Sequence, residues 1–283
     1  MMQALEIKNV TKSYEKFTLK NISMQLPQGC IMGLIGENGA GKSTLIKSML
    51  DLVHRDNGEV LFYGKALDSQ VKEDIGVVFD TVHFYEMLTP EQINKINALT
   101  YQNWNANLYQ EYLEKFNLPE KKALKDFSKG MKMKLSIAVA LSHKAKLLIL
   151  DEPTAGLDPI ARDELLDIFL DFVQDEEYSI LLSTHITTDF EKIADYITFL
   201  HEGKLIFTKS KDELLYDYRI VRCGEKDFEK LKLESGAIYR KMDYQYEILL
   251  PNGRALENKY FNCVFERPKI DEIMLMQVKG EQV

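Results

Sequence analysis

The chain has 283 residues, 45% hydrophobic and 28% charged, enough to bury one large core or a large and a small one. Its 44 acidic residues outnumber 36 lysines and arginines, for a net charge of -8. That balance argues against nucleic acid as the main partner, because a phosphate backbone is bound by concentrated positive charge. No stretch approaches the ~20 apolar residues that cross a bilayer. The three scattered cysteines, Cys30, Cys223 and Cys263, and a start without leader character are read as a reduced cytoplasmic setting.

Taken in order, residues 4–10 alternate apolar and polar side chains, with Leu5 and Ile7 on one face, as a half-buried strand does. Residues 19–26 read as a second strand. Cys30-Ile31-Met32-Gly33-Leu34-Ile35 is a short apolar run that leads into a glycine-rich loop. Leu45, Ile46, Met49, Leu50 and Val53 then recur at helical spacing across residues 43–53. Ile75-Gly76-Val77-Val78-Phe79 is an apolar run ending at Asp80. Thr89-Pro90-Glu91-Gln92 reads as a helix start, with Thr89 as N-cap, Pro90 in the first turn and Gln92 completing a capping box.

From there to residue 118 the pattern is mostly helical. It carries Tyr101, Trp104, Tyr109, Tyr112 and Phe116, whose expected role is to pack a small helical unit. Residues 147–150 and 179–183 are buried-strand candidates on either side of a helix at 160–173. Strands alternating with helices indicate an α/β fold, with a mainly parallel sheet covered by helices. After about residue 210 the character changes. Strands at 219–223, 237–240 and 246–250, a helix near 227–231 and a turn at Pro251-Asn252-Gly253 make residues 211–283 a small α+β appendage.

Two segments carry chemistry. Gly36-Glu37-Asn38-Gly39-Ala40-Gly41-Lys42-Ser43-Thr44 fits the phosphate-loop pattern. Its glycines let the backbone wrap a phosphate with inward N–H groups, and the following helix adds its positive end. Lys42 is placed to reach β and γ oxygens, and the Ser43 hydroxyl to ligate Mg²⁺. Leu147-Leu148-Ile149-Leu150-Asp151-Glu152 sets two carboxylates at the end of a buried strand. Adjacent strand residues point to opposite faces, so separate jobs are expected: Asp151 in the Mg²⁺ sphere, Glu152 as general base on the attacking water.

With these motifs in this order, residues 3–210 resemble the nucleotide-binding subunit of an ATP-binding cassette (ABC) transporter. The resemblance implies a P-loop NTPase core (residues 1–210) with an antiparallel N-terminal β part and a helical signature subdomain at about 85–140. In that family a Leu-Ser-Gly-Gly-Gln signature contacts the γ-phosphate held by the opposite subunit. Here the stretch is Phe127-Ser128-Lys129-Gly130-Met131, which keeps Ser128 and Gly130 but has Lys129 and Met131 in place of a glycine and the glutamine. The resemblance implies ATP contacts in trans from Ser128, Lys129, Gly130 and Asp158 of Ala155-Gly156-Leu157-Asp158, the loop that couples the two sites. It also implies a γ-phosphate and water contact from His185 and stacking of adenine on Tyr14. A metal role falls on Asp80, where the family carries glutamine, and contact with a membrane partner on residues 81–89.

The function so implied is that of an ATP-hydrolysing subunit, with ATP and Mg²⁺, working head to tail with a second copy or a paralogous nucleotide-binding subunit. A separately encoded transmembrane permease would hold it at the inner face of the cell membrane. The Ser-Lys-Gly-Met signature and the C-terminal extension resemble bacterial ABC-2-type exporters, whose cargo includes peptides, antibiotics and lipid-like molecules. The appendage is read first as dimer support, then as a brace for the core. The competing class is a soluble ABC-type ATPase regulating a non-transport process. Against it, one cassette is present rather than two, and the span from Lys42 to Ser128 is too short for an inserted coiled coil. A GTPase is disfavoured because Asn94-Lys95-Ile96-Asn97 lacks the aspartate that reads guanine.

Overall fold

The computed structural model describes residues 2–81 and 84–282. In chain order come β1 (Gln3–Ser13), β2 (Thr18–Pro27), β3 (Ile31–Ile35), α1 (Lys42–Met49), β4 (Asn57–Phe62), α2 (Ser69–Glu73) and β5 (Ile75–Val78). Helices α3 (Pro90–Thr100), α4 (Ala106–Lys115) and α5 (Lys129–Ser142) follow. Then come β6 (Leu147–Asp151), α6 (Pro159–Phe172), β7 (Ser179–Ser183), α7 (Thr187–Ile193), β8 (Tyr196–His201) and β9 (Lys204–Ser210). The last part holds β10 (Arg219–Cys223), α8 (Glu225–Leu231), β11 (Ile238–Lys241), β12 (Tyr246–Leu250), α9 (Gly253–Leu256), β13 (Phe265–Glu266), α10 (Ile270–Lys279) and β14 (Glu281–Gln282).

Strands β3, β6 and β7 are buried at all five positions, as expected of parallel strands covered on both faces. They lie inside a six-stranded sheet of order β5-β6-β7-β3-β8-β9, parallel except for the last pair. Register places Val78 beside Leu150, Asp151 beside Ser183, and Leu34 beside Ser183. The carboxyl ends of β5, β6, β7 and β3 therefore open onto one edge, which is where an open α/β sheet binds its ligand. An antiparallel sheet β2-β1-β4 makes the N-terminal part, and β13-β10-β12-β11-β14 forms a separate antiparallel sheet.

Several boundaries differ from the sequence expectation. Helix α1 stops at Met49 rather than running to residue 53. Asp51 takes a left-handed backbone, φ 55°, and Arg55 donates to Ser48 O at 2.7 Å while pairing with Asp51, so Leu52 ends up exposed. The helical stretch after Thr89 breaks at residues 101–105, where Tyr101 is extended and stacks on His143 at 4.2 Å. Asn105 then caps α4 by accepting from Leu108 N–H. The Thr89–Gln92 capping box is present as expected. Of the segment 81–89 assigned to a membrane partner, Val82 and His83 lie outside the described residues.

The C-terminal sheet has its own apolar cluster around Val221, Phe228 and Ile248. Helix α10, which the sequence reading did not anticipate, instead buries Ile270, Ile273 and Met276 in the large cluster that also holds Ile193, Phe199 and Phe207. Helix α10 and strands β8 and β9 thus share one apolar cluster. Among the described residues no helix is long and apolar enough to cross a membrane.

Candidate nucleotide site

The glycine loop leaves β3 and is fixed from both sides. A Cβ on Gly36 would sit 2.2 Å from the Leu200 carbonyl oxygen of the neighbouring strand, so only glycine fits. Gly41 has φ 111°, and a Cβ there would meet Phe17 and Leu19 at 2.7 Å. From the other side, Gly203 N–H donates to Ala40 O at 3.0 Å, and Lys20 N–H donates to Gly203 O at 2.7 Å. The β8–β9 turn and the start of β2 thus hold the loop closed.

The loop opens into a cavity of about 450 Å³ lined by Phe17, Glu37, Asn38, Gly39, Gly41, Lys42, Ser43, Thr44, Asp80 and Glu152. Lys42 is only 6% exposed. Its ammonium donates to Gly36 O at 2.8 Å and to Glu37 O at 3.5 Å, and lies 3.7 Å from Glu152 Oε1. The lysine is therefore held over the loop by neutral carbonyls and one carboxylate, a cation ready for a stronger anion.

Asp151 and Glu152 occupy different environments, but the pleat is not the cause. Asp151 is the last residue of β6 and is buried. Glu152 takes φ 53°, leaving the strand through the left-handed region, a conformation uncommon outside glycine and found at strained functional turns. One Asp151 oxygen accepts from Ser183 Oγ at 2.5 Å. The other, Oδ2, is buried without a hydrogen-bond partner among the described residues. Glu152 Oε2 meets His185 Nδ1 at 2.8 Å, and His185 is half exposed on the rim.

An unsatisfied buried carboxylate oxygen is costly. The cavity lining itself offers the Ser43 hydroxyl and the Asp80 carboxylate, and Asp151 follows at the buried end of β6; all are oxygen donors of the kind a hard cation takes. Among the described residues no three His, Cys, Asp or Glu side chains cluster as a self-sufficient metal cage. Such a set fits Mg²⁺ held by one or two protein groups plus phosphate oxygens.

A second hollow of about 460 Å³ adjoins the first through Phe17 and Gly39 and is lined also by Tyr14, Lys16, Lys20 and Glu202. Tyr14 is 47% exposed, with Lys12 Nζ 5.2 Å from its ring centre. Asp56 fixes this corner by accepting from Ser13 N–H at 2.6 Å and pairing with Lys12 at 3.3 Å. The Ser13 N–H first, then Lys12, hold its carboxyl below the usual range. Phe17, Glu202 and Gly203 were not found by sequence reading, because no local pattern marks them; only the sheet brings them to the loop.

Ser128, Lys129, Gly130 and Asp158 do not join this cavity. Ser128 is exposed and caps α5, its Oγ accepting from Met131 N–H at 3.2 Å. Asp158 is exposed and caps α6, accepting from Ile160 and Ala161 N–H; the Ala161 N–H foremost holds its carboxyl low. The two caps are neighbours: a Cβ on Gly130 would lie 3.2 Å from Leu157, and one on Gly156 3.8 Å from Lys129. They make an outward-facing patch of their own.

Comparison with known proteins follows the same lines. The sequence model described as ABC transporter matches residues 19–155. The lantibiotic transport ATP-binding protein SrtF of Streptococcus pyogenes is 39% identical over 74% of this chain and 91% of its own length. The ABC transporter ATP-binding protein YtrB of Bacillus subtilis (strain 168) is 29% identical over 98% of this chain and 99% of its own. The solved structure of an ATP-binding subunit of an ABC transporter superposes with a TM-score of 0.67 at 30% identity, over 75% of this chain and 91% of that one.

Proposed function

The chain belongs to the ATP-binding subunits of ABC transporters, hydrolyses ATP, and from that premise we propose how its residues divide the work. The cradle of residues 36–44 takes the phosphates, with Lys42 exchanging its carbonyl partners for β and γ oxygens. Ser43, Asp80 and Asp151 would hold Mg²⁺, which when bound would neutralise charge on the phosphates. Glu152 accepts a proton from the attacking water, and His185, hydrogen-bonded to the same carboxylate, orients it toward the γ-phosphate. Tyr14 stacks on adenine, with the Asp56–Lys12 pair behind it.

The observation that carries this reading is the meeting of Lys42, Glu152 and His185 at one sheet edge, within 3.7 and 2.8 Å of one carboxylate, beside an unpartnered buried oxygen of Asp151. Ser128, Lys129, Gly130 and Asp158 are not among the residues lining its cavity, which supports their use by a second subunit closing head to tail over ATP. Residues 1–210 are the ATPase unit and 211–283 an extension that braces it. A separately encoded permease would hold the assembly at the inner face of the membrane. The likeness to a lantibiotic transport protein supports a bacterial exporter of peptide or antibiotic cargo.

The test is Glu152→Gln. This variant is expected to bind ATP normally, to accumulate as a dimer on size exclusion, and to lose roughly 10²–10⁴-fold in hydrolysis. Turnover near that of the unaltered chain would remove Glu152 as the base.

A further inference from the structure

One buried carboxylate ties together the two loops that carry Glu152 and His185. Asp189 is fully buried. Its Oδ2 accepts from Thr154 Oγ1 at 2.8 Å, and its Oδ1 lies 2.5 Å from the Arg162 guanidinium. The same guanidinium donates to Thr188 Oγ1 at 2.7 Å. Thr154, 1% exposed, follows Glu152 by two residues, and Asp189 follows His185 by four. Arg162 lies in the first turn of α6 with its N–H on the Asp158 carbonyl at 3.0 Å.

A carboxylate is buried at large cost unless it is paired and fully hydrogen-bonded, and even then replacing such a pair by apolar groups often costs nothing. Net stability is thus a weak reason for this arrangement; fixed geometry is a better one. Glu152 leaves its strand at φ 53°, so the sheet does not dictate the path of the loop beyond it. One backbone bond, Glu152 N–H to Ser183 O at 2.9 Å, ties the loop's first residue to β7. Besides the Glu152–His185 contact itself, the Thr154–Asp189 bond is a side-chain tie that brings the loop back to the segment after His185. Arg162 extends the tie to the helix that Asp158 caps.

We propose that Asp189, with Thr154 and Arg162, forms a positioning unit that sets the Glu152–His185 distance and links it to the Asp158 helix start. The unit acts through Glu152 and His185 and touches no substrate, so this inference rests on the reading of that pair given above. Lys42 and the glycine loop lie outside the unit, and the unit therefore governs turnover rather than nucleotide affinity.

Thr154→Val and Thr154→Ser decide the matter in the full-length chain, because valine keeps the shape without a donor and serine keeps the donor. Steady-state Mg-ATP hydrolysis, binding of a fluorescent ATP analogue and the thermal midpoint are measured for both and for Asp189→Asn. Since small misplacements of reacting groups are expensive, kcat should fall roughly tenfold or more in Thr154→Val and Asp189→Asn, with affinity within about threefold. Thr154→Ser should return kcat to within about threefold of the unaltered chain. A Thr154→Val chain with near-normal kcat and a lowered midpoint would reduce the network to a brace. Equal losses of affinity and kcat would place its effect on the loop and overturn the proposal. If Asp189→Asn does not fold, the Val and Ser pair still decides. A Glu152→Gln control that turns over normally would instead remove the reading of the pair, and this inference with it.

Discussion

The phosphate loop and the signature stretch are both helix starts, yet they are built in opposite ways. Helix α1 begins after Gly41 with no side chain on its first N–H groups. The loop before it is locked by β8, by the β8–β9 turn and by Phe17, and its lysine is almost wholly buried. Helix α5 begins at Ser128, which already satisfies Met131 N–H and faces solvent beside Lys129. A helix start left uncapped inside a rigid cradle is a finished half of an anion site. One that is capped and exposed on a separate patch needs something brought to it. The difference is the one a site divided between two chains, as proposed above, would produce.

The sharpest way to break this comparison is to damage one half in each of two populations. Lys42→Ala and Ser128→Ala subunits are each expected to lose hydrolysis almost completely. A mixture should regain a substantial fraction, because a heterodimer contains one site with both halves intact. If heterodimers are shown by affinity capture and activity stays absent, the division between chains fails. Glycine replacements then separate the halves by mechanism. Gly41→Ala forces a left-handed residue with a Cβ 2.7 Å from Phe17 and Leu19, a backbone penalty of about 1–2 kcal/mol before the clash. It should abolish nucleotide binding in equilibrium measurements. Gly130→Ala meets the movable end of Leu157 at 3.2 Å and Ser128 Oγ at an ordinary 4.0 Å, and should leave binding intact while lowering turnover. Equal binding defects in both variants would erase the contrast. The smallest effect belongs to Tyr14→Ala: a lost stacking contact of ~1–3 kcal/mol should raise KM by about tenfold with kcat retained. A fall in kcat at constant KM would take Tyr14 out of the base pocket.

Much of the site was legible before the fold. The apolar run at 31–35 is a buried strand, the glycine loop follows it, and the Asp151–Glu152 pair and His185 sit at or just past the ends of two more, so each signal is local in sequence. Residue 53 as a helix end was misread because Arg55 caps Ser48 O from seven residues on, a contact with no periodicity. The separate environments of Asp151 and Glu152 were anticipated, though from the alternation of a strand that in fact ends at Asp151; the left-handed turn of Glu152 does the separating.

By itself, then, the sequence determined which residues make the glycine loop and the carboxylate pair and which element each of them rides on. Hydrophobic runs, glycine freedom and capping act over a few residues and can be read in one dimension. The tertiary structure alone decided that β3 lies between β7 and β8, that Phe17, Glu202 and Gly203 border the loop, and that Asp189 joins Thr154 to Arg162. Parallel strands carry no local mark of their neighbours. A buried carboxylate likewise shows its partners only when the chain has folded around it.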